Sequence, residues 1–151
     1  MTDEILVSVK GFQNMGEEQE NEVEVIIPGS YCKRGDMHYI KYDEVVEGME
    51  GSIRNLIKVQ KDSMEVTKKG LTNAHMVFEE QKKNITYYDT PFGNLLVGIA
   101  ATDIDLRETE EQIDVTVKYA LEVNYEHLAD CTIDLKVRPK SSCRPSQWEH
   151  M

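Results

Sequence analysis

The chain has 151 residues, the length of one domain, and 28 acidic against 17 basic residues give it a formal net charge of -11 at pH 7. Nucleic acids and anionic membrane surfaces are polyanions that need a basic footprint, so this charge excludes both as expected partners. No stretch of about 18 apolar residues could span a bilayer as a helix, and residues 1–4 are acidic where a signal peptide would be basic. We therefore expect a cytoplasmic protein.

Apolar and polar residues alternate along most of the chain. The pattern is clearest within residues 112–123, where Ile113, Val115 and Val117 are separated by polar residues. Successive side chains of a strand point to opposite faces of a sheet, so the alternation predicts strands with one dry and one wet face. In chain order, the inward-facing sets of the other predicted strands are Ile5, Val7 and Val9; Val23, Val25 and Ile27; Ile40 and Tyr42; Ile53, Ile57 and Val59; Met64 and Val66; Met76 and Phe78; Ile85 and Tyr87; Leu95, Val97 and Ile99; Ile133, Leu135 and Val137.

Glycine and proline mark the connections between these strands. No proline falls within a predicted strand, where its missing amide hydrogen would break the ladder. Residues 90–93 read Thr-Pro-Phe-Gly, which suits a type I turn between two strands. Gly98 lies inside a strand, and we expect a bend there because a sheet that closes on itself needs corners. The short connections predict an all-β fold, a single antiparallel up-and-down closed β-barrel of about 8 to 10 strands.

Residues 45–57 also fit the spacing of a short amphipathic helix. Gly48 and Gly51 argue against it, because each glycine costs about 1 kcal/mol in a helix interior. We therefore expect a loop followed by a strand.

We expect the barrel domain to span residues 1–138 and residues 139–151 to form a C-terminal tail. The tail carries the only tryptophan, Trp148, and several basic residues. Disorder, docking across the barrel mouth and contact with a second copy all remain open for it. The oligomeric state is likewise open between monomer and homodimer.

Residues suited to catalysis or metal binding are scattered. The three cysteines, Cys32, Cys131 and Cys143, form no paired framework, as expected in a reducing compartment, and Cys131 is expected to be a small buried hydrophobe. The sequence lacks ligand-spaced histidines, a glycine-rich phosphate loop and a serine nucleophile elbow. We therefore expect no metal and no cofactor, assign no catalytic residue and favour a protein that is not an enzyme.

Five short segments resemble the YwiB-like family of small uncharacterised bacterial proteins. They are residues 42–44 (Tyr-Asp-Glu), 68–70 (Lys-Lys-Gly), 76–78 (Met-Val-Phe), 88–93 (Tyr-Asp-Thr-Pro-Phe-Gly) and 117–119 (Val-Lys-Tyr). The resemblance extends from about Glu4 to Val137 and implies a lipocalin-like, or calycin-type, barrel without implying an activity. Lys68 departs from the family's Arg-x-Gly pattern, and lysine offers a point charge where arginine offers a planar fork.

Two charged residues share the inward parity of their strands, Glu44 with Tyr42 and Lys68 with Val66. An isolated buried charge is costly, so we predict that Glu44 and Lys68 pair near the barrel rim, joined by the hydroxyl of Tyr42 or Tyr119. The predicted ligand-binding residues are Tyr42, Glu44, Lys68, Met76, Phe78 and Tyr119.

Three functions remain open on this basis. In a binding barrel, the interior holds a small hydrophobic or amphipathic molecule, and Lys68, Tyr42 and Tyr119 receive its carboxylate or similar polar end. In a filled-core structural or protein-interaction barrel, side chains occupy the whole interior, as about eight strands allow. In an acid–base enzyme, Glu44 is the general base and Lys68 or a tyrosine is the acid.

Overall fold

The computed structural model describes residues 4–14 and 20–140, and over these two ranges the chain forms ten β-strands and no helix. No segment there could cross a membrane as a helix. The strands are β1 (Glu4–Asn14), β2 (Glu20–Arg34), β3 (Met37–Val45), β4 (Ser52–Gln60), β5 (Ser63–Gly70), β6 (Ala74–Glu79), β7 (Lys82–Thr90), β8 (Gly93–Glu108), β9 (Ile113–Val123) and β10 (Glu126–Pro139).

All ten strands belong to one antiparallel sheet with the order β6-β5-β4-β3-β2-β1-β10-β9-β8-β7. Strands that follow one another in the chain lie side by side, and the pairing of β1 with β10 joins the two halves. The predicted up-and-down barrel is therefore confirmed. The sheet's two edges, β6 and β7, meet at a seam that carries one isolated bridge between Asn73 and Asp89.

Side chains complete the seam between β6 and β7. The amide of Asn84 on β7 donates to the carbonyl oxygen of Val77 on β6 at 3.2 Å. The turn that joins the two strands is held against β8, since the backbone N–H of Gln81 donates to the carbonyl oxygen of Ala101 at 2.9 Å. Polar contacts therefore replace much of a regular ladder at this place.

The irregularity in β8 falls later than predicted. The ladder runs through Gly98 without a shift, and the bulge lies between Ala101 and Asp103. A Cβ on Gly98 would lie 3.2 Å from the Glu122 carboxylate, which is bonded to Lys83 at 2.7 Å. Glycine at this position makes room for a covering ion pair.

The inner faces of the strands pack into one core. Cys131 is buried in it as predicted, and Phe78, Ile40, Met64, Ile99, Ile113 and Leu135 are among its largest fully buried side chains. Burial of each large apolar side chain contributes about 1.5 to 3 kcal/mol, which offsets much of the chain entropy lost on folding.

The predicted facing of β7 is wrong. Ile85 and Tyr87 were expected inside, but they are 53% and 71% exposed, and Asn84, Thr86 and Tyr88 share the inward parity instead. Both faces of β7 carry large side chains. The alternation therefore indicates a strand but does not show which of its two faces points inward. The inward residues are more polar here because β7 borders the seam.

Strand β2 also differs from prediction, because it continues through Pro28. It pairs with β1 from Glu20 to Ser30 but with β3 only from Ser30 to Arg34. Among the described strands, Pro28 thus lies where β2 pairs with β1 alone, and its missing amide hydrogen costs no bond to β3. We call the place where β2 and β3 separate the fork.

Gly29 sits at the fork. A Cβ on this residue would overlap the carbonyl oxygen of Lys41 and lie 3.2 Å from the Cβ of Tyr42. Only glycine lets the two strands approach this closely before they diverge. The separation leaves an opening in the barrel wall.

The loop followed by a strand that was predicted for residues 45–57 is confirmed, since this segment contains the end of β3, a connection and the start of β4. Gly48 and Gly51 lie in that connection with φ angles of +82° and +96°, in the region that favours glycine. At the other end of the chain, the N–H of Lys140 donates to the carbonyl oxygen of Glu4. The predicted tail, including Trp148, lies almost wholly outside the described residues.

Candidate functional site

Three neighbouring strands bring Glu44, Asn55 and Lys68 together inside the barrel. Asn55 on β4 lies directly opposite Tyr42 on β3 and Lys68 on β5. The Lys68 ammonium lies 3.1 Å from Glu44 Oε1 and donates to Asn55 Oδ1 at 2.8 Å, while Asn55 Nδ2 donates to Glu44 Oε1 at 2.8 Å. We call these three residues the mouth cluster.

The predicted ion pair between Glu44 and Lys68 is present, but the residue that joins them differs from the prediction. Asn55 does so, rather than the hydroxyl of Tyr42 or Tyr119. Its side chain is only 3% exposed, so both ends of its amide need partners. The signal was in the sequence, because Asn55 falls between Ile53 and Ile57 at an inward position.

The mouth cluster lies at the boundary between interior and solvent. The side chain of Lys68 is 16% exposed and that of Glu44 is 31% exposed. Two charges of opposite sign and one neutral amide make the cluster electrically neutral. Two of the three ammonium hydrogens are used within it, which leaves Lys68 one donor to offer.

Two tyrosines, Tyr42 and Tyr88, lie near the Glu44 carboxylate of this cluster, and a third, Tyr119, lies near Tyr88. Burial raises the pKa of Tyr42 and of Tyr88, and the nearby Glu44 carboxylate raises both further. Burial also raises the pKa of Tyr119, and its interaction with the neighbouring Cys131 raises it further. All three phenols therefore stay protonated at neutral pH and are available as hydrogen-bond donors.

Two of these phenols have no protein partner. Within residues 4–14 and 20–140, no hydrogen bond is made by the hydroxyl of Tyr42 or of Tyr88. Tyr88 was missed by the sequence prediction because β7 was assigned the opposite phase. The same error placed the exposed Tyr87 among the inward residues.

The remaining predicted site residues lie deeper or to one side. The ring of Tyr119 packs edge-on against Phe78 with their centroids 5.0 Å apart, and Phe78 is fully buried. Met76 pairs across the sheet with Val66 and packs against the core. Tyr42, Glu44 and Lys68 thus mark the mouth, whereas Met76, Phe78 and Tyr119 belong to the packed interior.

A groove opens where β2 and β3 separate. Its volume is about 470 Å³, and it is lined by Ile27, Pro28, Gly29, Ser30, Lys41, Tyr42 and Asp43. Tyr42 therefore belongs both to the wall of the fork groove and to the tyrosines around the mouth cluster. The groove, which is apolar at Ile27 and Pro28 and charged at Lys41 and Asp43, therefore adjoins a set of hydrogen-bond donors.

A second polar group, of which Tyr31 and His38 are buried, lies at the other end of β3, about 20 Å along the strand from the mouth cluster. The hydroxyl of Tyr31 lies 2.7 Å from His38 Nδ1, and His38 Nε2 lies 3.4 Å from Glu108 Oε1. Lys33 donates to the other oxygen of Glu108 at 3.0 Å. We call these four residues the hairpin cluster, because β2 and β3 join in a hairpin beside it.

Burial lowers the pKa of His38, although the nearby Glu108 opposes the shift. The imidazole is therefore neutral at pH 7, and both of its nitrogens face polar groups of the protein. No group of three or more histidine, cysteine or acidic side chains in the described part of the chain is arranged to hold a metal ion.

Comparison with known proteins identifies the fold and the family. The crystal structure of the ywiB protein from Bacillus subtilis matches with a TM-score of 0.74 at 22% identity, over 88% of this chain and 90% of that chain. No curated protein matches the sequence. The family model described as "Domain of unknown function (DUF1934)" matches residues 7–135. The resemblance to the YwiB-like family is confirmed, and the chain belongs to the DUF1934 family.

Proposed function

We propose that this barrel binds a small amphipathic molecule at its mouth. The observation that carries the proposal is the pair of inward phenol hydroxyls, on Tyr42 and Tyr88, that have no hydrogen-bond partner among the described residues. Inward polar groups are normally bonded to protein or to a molecule that replaces water. A ligand with hydrogen-bond acceptors would supply what these two donors lack.

The charges of the mouth cluster limit which chemical group can form the polar end of this ligand. Glu44 already accepts from Lys68 and Asn55, so an incoming carboxylate would face both the ammonium and an existing carboxylate. An uncharged acceptor, such as a carbonyl or amide, meets the two phenols without this repulsion. We therefore replace the carboxylate expected from the sequence with a neutral polar end.

The fork groove suits the apolar part of the same molecule. Its volume of about 470 Å³ falls within the usual range of small-molecule pockets, roughly 300–1,000 Å³. Ile27 and the ring of Tyr42 offer apolar contacts. A ligand bound there would have its polar end near the hydroxyls of Tyr42 and Tyr88. In this proposal the protein is a lipocalin-like carrier that works in the cytoplasm, as a monomer or homodimer.

Native mass spectrometry of the freshly purified protein tests the proposal, with denaturing spectra of the same sample to identify any released molecule. We expect a reproducible adduct that is retained in Tyr125→Phe and lost in the double variant Tyr42→Phe/Tyr88→Phe. The control changes the same chemical group at a residue that is 75% exposed.

Titration with Nile red, an uncharged ring system with a carbonyl acceptor, supplies a second measurement. We expect saturable binding that weakens at least fivefold in the double variant and is unchanged in Tyr125→Phe. A bare mass in every preparation together with no saturable binding of the dye would overturn the proposal.

A filled-core structural or protein-interaction barrel is the alternative, and one observation favours it. Phe78, Tyr119 and Met76, three of the predicted ligand-binding residues, pack against one another or the core. Under this alternative the double variant changes only stability. The acid–base enzyme gains no comparable support, because Glu44 is engaged by Asn55 and Lys68.

A further inference from the structure

We propose a second binding site, for a phosphate group, on the outer surface of β3, β4 and β5. A groove of about 260 Å³ lies there, outside the barrel wall that carries the mouth cluster. We call it the outer groove, and its lining residues are Lys41, Asp43, Arg54, Asn55, Leu56, Thr67 and Lys69.

Strand register explains how the outer groove gathers its charges. Asp43, Arg54 and Lys69 are aligned across the three strands, and Lys41 belongs to the adjacent row with Leu56. Neighbouring strands lie about 4.8 Å apart, so side chains within one row can contact the same small ligand. The sequence gives no hint of this, because the three basic residues are well separated along the chain.

The three basic side chains of the outer groove take no part in the ion pairs found in the described part of the chain. Lys41, Arg54 and Lys69 form no ion pair within the described residues. Lys33 and Lys83, by contrast, pair with Glu108 and Glu122. With Asp43 included, the groove has a net charge of +2 on a chain whose formal charge is -11.

The chemistry of the lining matches a phosphate dianion. A phosphate monoester carries about −1.5 to −2 charges at pH 7, and the guanidinium of Arg54 can donate two parallel hydrogen bonds to it. Lys41 and Lys69 add point charges from the strands on either side. Leu56 offers an apolar contact to an organic group attached to the phosphate, which inorganic phosphate would not use.

An NMR titration of the amide spectrum tests the site, with inorganic phosphate and phenyl phosphate as separate probes at constant ionic strength and pH 7.5. We expect saturable shifts centred on residues 41, 54 and 69. Tighter binding of phenyl phosphate would identify a monoester as the ligand class, whereas equal binding would identify the free anion.

The variant Arg54→Gln should weaken binding of the better probe at least tenfold. Arg107→Gln is the matched control, because it makes the same change at an exposed arginine outside the groove. Lys69→Gln is a second groove variant that should also weaken binding. It replaces Arg54→Gln as the test if that variant does not fold. Absence of saturable shifts, or equal weakening by the groove and control variants, would overturn the proposal. Lys41 and Asp43 line the fork groove as well, whereas Arg54 and Lys69 line only the outer groove, so the two groove variants distinguish this site from the mouth site.

Discussion

The two polar clusters at the ends of β3 differ in how many of the polar groups in and beside them have hydrogen-bond partners in the described chain. In the hairpin cluster, the ring nitrogens of His38 face Tyr31 and Glu108, and Glu108 in turn bonds to Lys33. In the mouth cluster, Asn55 completes the bonding of Glu44 and Lys68, but the neighbouring Tyr42 and Tyr88 hydroxyls have no partner in the described chain. The first arrangement suits a structural role, and the second suits a site with an external partner.

The largest expected effect comes from removing the amide that completes the mouth cluster. Asn55→Leu should lower the free energy of unfolding by about 3 kcal/mol, because Glu44 and Lys68 each lose a hydrogen bond in a partly buried place. Urea denaturation measures the change, and Asn94→Leu, at an exposed position, should shift stability by less than about 0.5 kcal/mol. An Asn55→Leu protein as stable as the wild type would show that the hydrogen bonds of Asn55 do not stabilise the mouth cluster.

The hairpin cluster should make stability depend on pH near neutrality. Burial keeps the folded-state pKa of His38 below its ordinary value of 6.5, so below pH 6.5 the unfolded chain binds a proton that the folded chain resists. Stability is therefore present above pH 6.5 and is lost as the pH falls, with a slope of at most about 1.4 kcal/mol per pH unit from this group.

Urea denaturation between pH 5 and pH 8 measures this dependence, and His38→Gln should flatten it. The groups that face or act on the imidazole are Tyr31, Lys33, Asp36 and Glu108. Glu108 contributes in a separate window, because Lys33 holds its pKa below 4.5 and the associated stability is lost only at more acidic pH. A wild-type slope unchanged in His38→Gln would contradict the structural interpretation of the hairpin cluster.

The smallest expected effects come from removing single tyrosine hydroxyls in or beside the two clusters. Tyr31→Phe should cost about 1 kcal/mol, since it removes a bond to His38. Tyr42→Phe and Tyr88→Phe should each change the stability of the ligand-free protein by less than about 0.5 kcal/mol, because no protein bond is lost. Thermal unfolding measures the stability of all three variants. Equal losses of stability in Tyr31→Phe and Tyr42→Phe would contradict the claim that only the Tyr31 hydroxyl is bonded within the protein.

Most of the fold follows from local pattern. Alternation at residues such as Ile113, Val115 and Val117 predicted the strands, and parity alone placed Glu44 and Lys68 together. The phase of β7 could not be obtained in this way, because Ile85 and Tyr87 are as apolar as an inward pair, and their exposure is set by how β7 meets β6 across the seam.

The fork and the outer groove depend on contacts between distant parts of the chain. Pro28 reads locally as the end of a strand, and only the departure of β3 allows β2 to continue through it. Arg54 and Lys69 become neighbours through the register of β4 and β5. Asn55 is different, since an inward asparagine between isoleucines could have been recognised as a polar residue that needs partners.

Pro28 has a further consequence for the behaviour of the protein at high concentration. Within residues 4–14 and 20–140, the part of β2 beyond the fork has no strand on one of its sides. Such an edge can recruit a strand from another molecule and start aggregation. Because proline offers no amide hydrogen, an incoming strand meets a missing donor within the segment it would have to follow. The proline at the opening of the barrel wall therefore protects the exposed edge from self-association.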